Sequence, residues 1–375
     1  MKLDQFLALL RCPKTGKNLE LVDLSQARAD GNTSPELTTV PRQGGNATPV
    51  GVTDRILRVV GEDHAYPVVG DFPVLILPEM LVPADKVADY GSYDLHDPKY
   101  EEAYEEMDHY NNKCENMLKT MGKEDVFAMG ALTPKTDIAP IAASFPEPRD
   151  FWIDAKHDSL SQLEAYQYLT PVQDKVFLQM GGSGSHVVKF LLAGAARAIH
   201  LTPMVGEAKM AMHLAAAFGV ADRMICVIGV GEELPFADSS LDGIYAGGCF
   251  HHMQLANTSL ELYRVLKAGG KFSGVDPWKT PLHTIGTRVI GKREPNVHCR
   301  PINPERIAPM QQQFKDMTVS RHGPLLRYAF LALAKLRINM PISVMMKVMQ
   351  VDNYLGKPFG LGAKYGGSLV MAGTK

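Results

Sequence analysis

The chain has no run of about 18 consecutive apolar residues, so no segment reads as a membrane-spanning helix. It has no long block of lysine or arginine either, and its formal net charge is −2. A partner bound through a phosphate backbone asks for a basic face, so no nucleic-acid partner is expected. Cysteine is sparse: five residues, at 12, 114, 226, 249 and 299, with no CxxC pair. That argues against a disulfide framework and an ordinary zinc site, and it fits a soluble protein in the reducing cytoplasm. The opening MKLDQFLALLRCPKTGK turns polar too soon for a signal peptide. Acidic residues are missing where they would matter most, around the chain's most informative loop.

What the chain does have is enough apolar material for a large core, with 375 residues of which 45% are hydrophobic. Residues 1–80 combine short β-like runs (Leu19–Val22, Arg55–Val60, Val74–Leu77) with a Gly/Pro/Thr/Asn-rich stretch from Ala29 to Val52, and read as a small β-rich module. Residues 81–170 form an acidic and aromatic linker or lid region. It holds an amphipathic helix in YEEAYEEMDHYNNKCENMLKTM and a second helix near Ser159–Leu169. Residues 171–375 form the main domain. There, apolar strands at 176–180, 197–201, 223–228, 241–247 and 270–275 alternate with helical patterns at 186–194, 205–218 and 256–267. Such alternation implies right-handed βαβ units and a parallel sheet covered on both faces. The pattern breaks over about 279–360, an insertion containing the helical, Met-rich stretch Leu325–Met349, and resumes in a closing strand at YGGSLVMAGT.

The loop lies in Val176–Gly194, VFLQMGGSGSHVVKFLLAG, where an apolar strand stops at a glycine-serine turn and a helix begins at once. Gly181, Gly182 and Gly184 permit positive φ and close approach of a ligand to the backbone, and the helix start offers free N–H groups. Two further segments follow in order: GEELPFADSSLDGIYAGGCFHHM (231–253) and LELYRVLKAGGKFSGVDPW (260–278). Together, over about Lys175–Trp278, the three resemble the class I S-adenosylmethionine-dependent methyltransferases, in the group that includes the ubiquinone and menaquinone methyltransferases. The resemblance implies an α/β, Rossmann-like seven-stranded methyltransferase sheet. The ends of the first 80 residues, LLRCPKTGKNLEL and AYPVVGDFPVLI, resemble the small zinc-ribbon-like modules of the methyltransferase activator subunit family. Cys12 stands alone there, with Thr15 where a second cysteine would fall, so the module reads as degenerate, without structural zinc, and as a docking or lid element.

The resemblance also implies where S-adenosylmethionine would sit. Mapped by order, the family's polar anchors fall at Gln179, His200 and Val230, and none is acidic. The candidate cofactor-binding residues are Gln179, Gly181, Gly182, Ser183, Gly184, His200, Leu201, Val230, Gly231 and Glu232. A neutral loop rich in N–H groups attracts anions, so a changed ligand is a competing reading. The candidate catalytic residues are His251 and His252, after the fourth strand. Asp276, Trp278, His298 and Arg300 are candidates for the substrate. His186, His200 and His251 all fall at the carboxyl edge of the sheet, and they form an alternative metal set. Met340, Met345, Met346 and Met349 read either as an adaptable lid over an apolar acceptor, as a membrane-surface helix, or as core packing. The expected activity is methyl transfer to a small, apolar acceptor. The alternatives are the same fold with a changed cofactor and His- or metal-based chemistry, or a catalytically silent partner of another methyltransferase.

Overall fold

A computed structural model describes residues 3–24, 36–37, 55–76, 101–120, 158–283, 285, 300–335 and 341–375. The centre is a seven-stranded sheet in the order β11–β12–β10–β9–β6–β7–β8. Its strands are β6 (Val176–Met180), β7 (Arg197–Thr202), β8 (Met224–Ile228), β9 (Leu241–Gly247), β10 (Leu266–Pro277), β11 (Thr318–His322) and β12 (Ser368–Thr374). From β8 to β10 neighbouring strands are parallel, while β12 runs antiparallel to both β10 and β11. This is the seven-stranded sheet the motifs imply. The five alternating strands lie where their apolar runs predict. The β8 run MICVI is buried at every position because helices or other layers cover both faces of a parallel strand. β11, TVSRH, is the exception: half-buried and largely polar, it gives no run to read.

Five helices frame the site. They are α1 (Glu101–Thr120), α2 (Ser159–Leu169), α3 (Ser185–Leu192), α4 (Val205–Ala217) and α5 (Leu255–Val265). α1 lies on α4, where Asn111 Oδ1 accepts the Gly206 N–H at 2.7 Å. α2 lies against β10 and β12. Toward the C-terminus follow α6 (Pro304–Gln313), α7 (Leu326–Lys335), α8 (Ile342–Gly356) and α9 (Leu361–Tyr365).

The N-terminal residues form a smaller sheet of β1 (Leu19–Asp23), β2 (Glu36–Leu37), β3 (Arg55–Val59), β4 (His64–Val69) and β5 (Phe72–Pro73). It shares one apolar core with the large sheet, through Phe6, Leu10, Tyr66 and Val74 among others. Val74 pairs with Ile228, so this module covers the β8 edge that would otherwise offer unpaired backbone groups. Cys12 is buried 3.3 Å from the Tyr66 hydroxyl.

The Met-rich stretch is two helices. Met345, Met346 and Met349 of α8 turn inward onto Leu160 and Leu163 of α2 and onto Leu326 and Leu333 of α7. These three methionines are packing residues on the inner side of α8, in line with the core-packing reading; Met340 lies outside the described residues.

Candidate functional site

β6 ends at Met180 and the chain turns through Gly181, Gly182 and Gly184, all at positive φ, into α3. The need for glycine is strongest at Gly184. With φ at +82°, a Cβ there would stand 2.2 Å from Ala211 Cβ and 2.8 Å from Ala211 Cα. The turn is held from below by two side chains. Gln179 donates its amide to the Gly181 carbonyl at 2.7 Å and accepts the Val187 N–H at 2.6 Å. His200 Nε2 lies 2.8 Å from the Gly182 carbonyl and 3.3 Å from that of Gly181, so this nitrogen carries the proton. Burial lowers the His200 pKa to about 4, which keeps the ring neutral at pH 7. Gln179 and His200, the two polar side chains mapped to the cofactor by order, therefore make their hydrogen bonds to the loop.

In front of the loop is a cavity of about 290 Å³ at the carboxyl edge of the sheet. Gly181, Gly182, Leu201, Val230, Gly231 and Glu232 line it, as do His252 and Cys249. Gln179, Ser183, Gly184 and His200 are not among the residues that line it. The walls are mostly apolar, with Met107, Met180, Met204 and Met253 around Tyr110.

Three carboxylates reach the same cavity: Glu106 from α1, Glu207 from the first turn of α4, and Glu232. Glu207 accepts the Thr202 hydroxyl at 2.7 Å. Glu232 accepts the Gln254 N–H at 2.9 Å and so caps α5. Burial raises both carboxyls to about 7, since a charge taken from water into this pocket loses its hydration. The acid missing at His200 is thus matched by one seven residues further on. Glu207 had a faint sequence signal, an acid in the first turn of the helix after β7. Glu106 had none, because it enters from a helix far away in the chain.

The histidine pair divides. His251 is buried, with Nδ1 2.7 Å from Asp276 Oδ1, and the same oxygen accepts its backbone N–H at 3.0 Å. Burial favours the neutral form of each group, lowering the imidazole well below its usual value and raising the carboxyl to about 7. The pair ties the turn after β9 to the end of β10. His252 lines the cavity, and its Nδ1 lies 3.1 Å from Glu106 Oε2. Arg306 of α6 clamps the turn by donating to the His251 carbonyl at 3.1 Å and to that of Met253 at 3.2 Å.

The remaining candidates are dispersed. Trp278 is buried, bridged to Ile302, with the Arg321 guanidinium 4.6 Å over its ring. The Arg300 carbonyl accepts from Arg306. Asp276, Trp278 and Arg300 do not line the cavity, and His298 lies outside the described residues. His186, His200 and His251 are engaged separately, with Tyr166, the glycine loop and Asp276. Among the described residues no group of three or more His, Cys, Asp and Glu side chains is placed to hold a metal ion.

Residues 178–274 match the family model described as a methyltransferase domain; the loop, the histidine turn and the cavity walls other than Glu106, Met107 and Tyr110 fall within that match. No curated protein matches the chain by sequence. Several solved structures are similar over part of the chain. A geranyl diphosphate C-methyltransferase from Streptomyces coelicolor A3(2), in complex with S-adenosyl-L-homocysteine, is 13% identical. It superposes with a TM-score of 0.44 over 71% of this chain and 97% of that one. Phosphoethanolamine N-methyltransferase 2 of Haemonchus contortus is 16% identical, with a TM-score of 0.41 over 57% of this chain and 52% of that one. The [4+2]-cyclase SpnF is 15% identical, with a TM-score of 0.39 over 58% and 80%.

Proposed function

We propose that the protein transfers a methyl group from S-adenosylmethionine to a small acceptor with an apolar body and a protic nucleophile. One observation carries this reading: on a methyltransferase domain, the cavity before the glycine loop is apolar and holds three carboxylates. A positively charged cofactor suits those groups, whereas an anion would meet Glu106, Glu207 and Glu232 as like charges. This weighs against the reading in which the pocket has turned to an anionic ligand. Bound there, S-adenosylmethionine supplies an electrophilic methyl group on a sulfonium.

The chain's own residues supply the rest. The backbone of Gly181 and Gly182 allows close approach, and Leu201, Val230 and Met204 form apolar wall. Glu207, fixed by Thr202, offers a carboxylate to the cofactor's hydroxyl or cationic groups. His252, oriented through Nδ1 by Glu106, keeps Nε2 to accept the acceptor's proton. Positioning of the two reactants in one cavity supplies most of the remaining rate.

Calorimetry tests the reading. Both S-adenosylmethionine and S-adenosylhomocysteine are expected to give heat on binding, and no heat from either at high concentration would sink the proposal. The ratio of the two affinities isolates the sulfonium, since the rest of the ligand is common to both. Glu207 and Glu232 ionise near pH 7 in the free protein. A bound cation favours their charged forms, so preference for S-adenosylmethionine is expected to rise with pH through about 7. The limit is about tenfold per pH unit for each carboxylate coupled to the sulfonium. In Glu207→Gln the rise should be shallower, and a ratio independent of pH in the wild type would remove the carboxylates from cofactor recognition.

A further inference from the structure

The segment 323–367 differs in charge from the rest of the chain. It contains six basic residues (Arg327, Lys335, Arg337, Lys347, Lys357 and Lys364) and one acid, Asp352, within a protein of net charge −2. That acid is buried, and its carboxylate accepts the N–H groups of Leu325 and Leu326 at the start of α7. Nothing acidic on this segment is therefore exposed.

The same segment collects exposed apolar side chains. Of nine large apolar residues exposed among the described residues, six fall on it: Leu325, Val344, Val351, Tyr354, Leu355 and Phe359. Tyr354 is 76% and Phe359 78% exposed, values far beyond ordinary surface scatter for aromatic residues. Their arrangement is a stripe. At 3.6 residues per turn, Val344, Val351, Tyr354 and Leu355 fall within about 100° of one another on α8, opposite Met345, Met346 and Met349. Phe359 continues the stripe just past the helix end. Pro324 packs on Gly356, which brings Leu325 to the same end of α8. α8 is thus apolar on both sides, with its methionines on α2 and α7 and its Val/Tyr/Leu stripe outward. Lys347 is exposed within that arc, between Val351 and Tyr354 on the helix wheel, and Lys357 is exposed just past the helix end.

We infer that this outward face of α8, with Phe359 and the lysines around it, docks on the surface of a bilayer that carries anionic lipid. An exposed apolar face that also carries lysines, whose long stems lie along apolar surface while the ammonium reaches outward, with Tyr at its margin, is the chemistry that seats a helix in the headgroup region. Charge sets this occupant apart from a second copy of the chain, because a two-fold contact through this face would bring two sets of lysines together. The location agrees. Ser368 pairs with both Pro277 and His322, so the segment leaves and re-enters the sheet at its carboxyl edge, where the cavity lies. The inference does not depend on methyl transfer.

Flotation of the full chain with vesicles tests it. Binding is expected to vesicles of phosphatidylcholine with about one third phosphatidylglycerol, and to fall on the order of 100-fold in Lys347→Gln/Lys357→Gln/Lys364→Gln. Tyr354→Ser/Leu355→Ser/Phe359→Ser is expected to lose tenfold or more, on the order of what three apolar side chains contribute at an interface. Both variants alter exposed side chains and should keep the wild-type circular dichroism and melting temperature. Absence of flotation with the mixed vesicles overturns the inference. So does a concentration-dependent dimer that the serine variant abolishes while vesicles bind nothing. Equal binding of wild type and both variants overturns it as well.

Discussion

Gly184→Ala is expected to cost about 2–5 kcal/mol of folding stability and to abolish detectable binding of S-adenosylmethionine. The magnitude has two sources. An alanine held at φ of +82° sits in the left-handed region at a cost of about 1–2 kcal/mol. Its Cβ would also overlap Ala211 Cβ at 2.2 Å and Ala211 Cα at 2.8 Å, and the second atom is backbone of α4, which cannot swing aside. Overpacking of this kind costs about 1–3 kcal/mol. Relief requires α3 and α4 to separate. That pulls the turn's own carbonyls away from Gln179 and His200, so the backbone groups facing the cavity shift with it. Denaturant unfolding gives the first effect and calorimetry the second. Gly182→Ala is the comparison: its Cβ would meet only the Gln179 amide, at 3.5 Å, although its φ of +73° still carries the left-handed cost. Equal stability of Gly184→Ala and wild type would mean that α3 and α4 are less closely packed than their contact indicates.

His252→Ala is expected to slow methyl transfer by about 10²–10⁴-fold, the usual contribution of a positioned general base, with cofactor affinity within a few-fold of wild type. The imidazole lines the cavity and has its Nδ1 on Glu106, so its removal leaves the cofactor's walls in place. Single-turnover rates separate the two quantities. Glu106→Gln should give a smaller loss, because it keeps a hydrogen-bonding side chain beside Nδ1 and removes only the charge. A rate independent of residue 252 would show that the acceptor needs no proton removed and reacts through an electron pair it already has. His251 is the contrasting position. Buried on Asp276, it holds the turn, and its replacement is expected to act first on stability.

Much of the sheet was legible because parallel strands leave a plain signal. MICVI is apolar throughout and LDGIYAG is apolar but for Asp242, and each is followed by a helix or turn of the right length. β11 was not legible, since an outer strand half-covered by one neighbour can afford Thr, Ser, Arg and His. The site was half legible. Glycines at 181, 182 and 184 mark backbone conformations that few other residues tolerate, so the loop could be placed from sequence. The acids could not be placed from order alone. A motif fixes a position along the chain, whereas a carboxylate needs only to reach the cavity. Glu207 does so from one turn into α4, and Glu106 from a helix that arrives through tertiary packing. The two polar residues that order did select, Gln179 and His200, are tied up by the loop's own carbonyls. In the methionine stretch, composition showed an apolar helix but not which side faced in, because both of its sides are apolar.

The pairing of His322 with Ser368 has a consequence for how the protein can be taken apart. Two residues opposed in an antiparallel ladder have their Cα atoms about 5 Å apart. Everything from 323 to 367 therefore hangs from the sheet by a doorway no wider than a hairpin turn. A two-residue turn would span that gap and leave the register of β11 on β12 intact. What such an excision would strip is the underside of α8, exposing Leu160 and Leu163 of α2. The segment is thus an appendage in connectivity and a cover in packing, and shortening it would also free Asp158 from Arg327 and the Trp278 N–H, just past β10, from the Gly367 carbonyl.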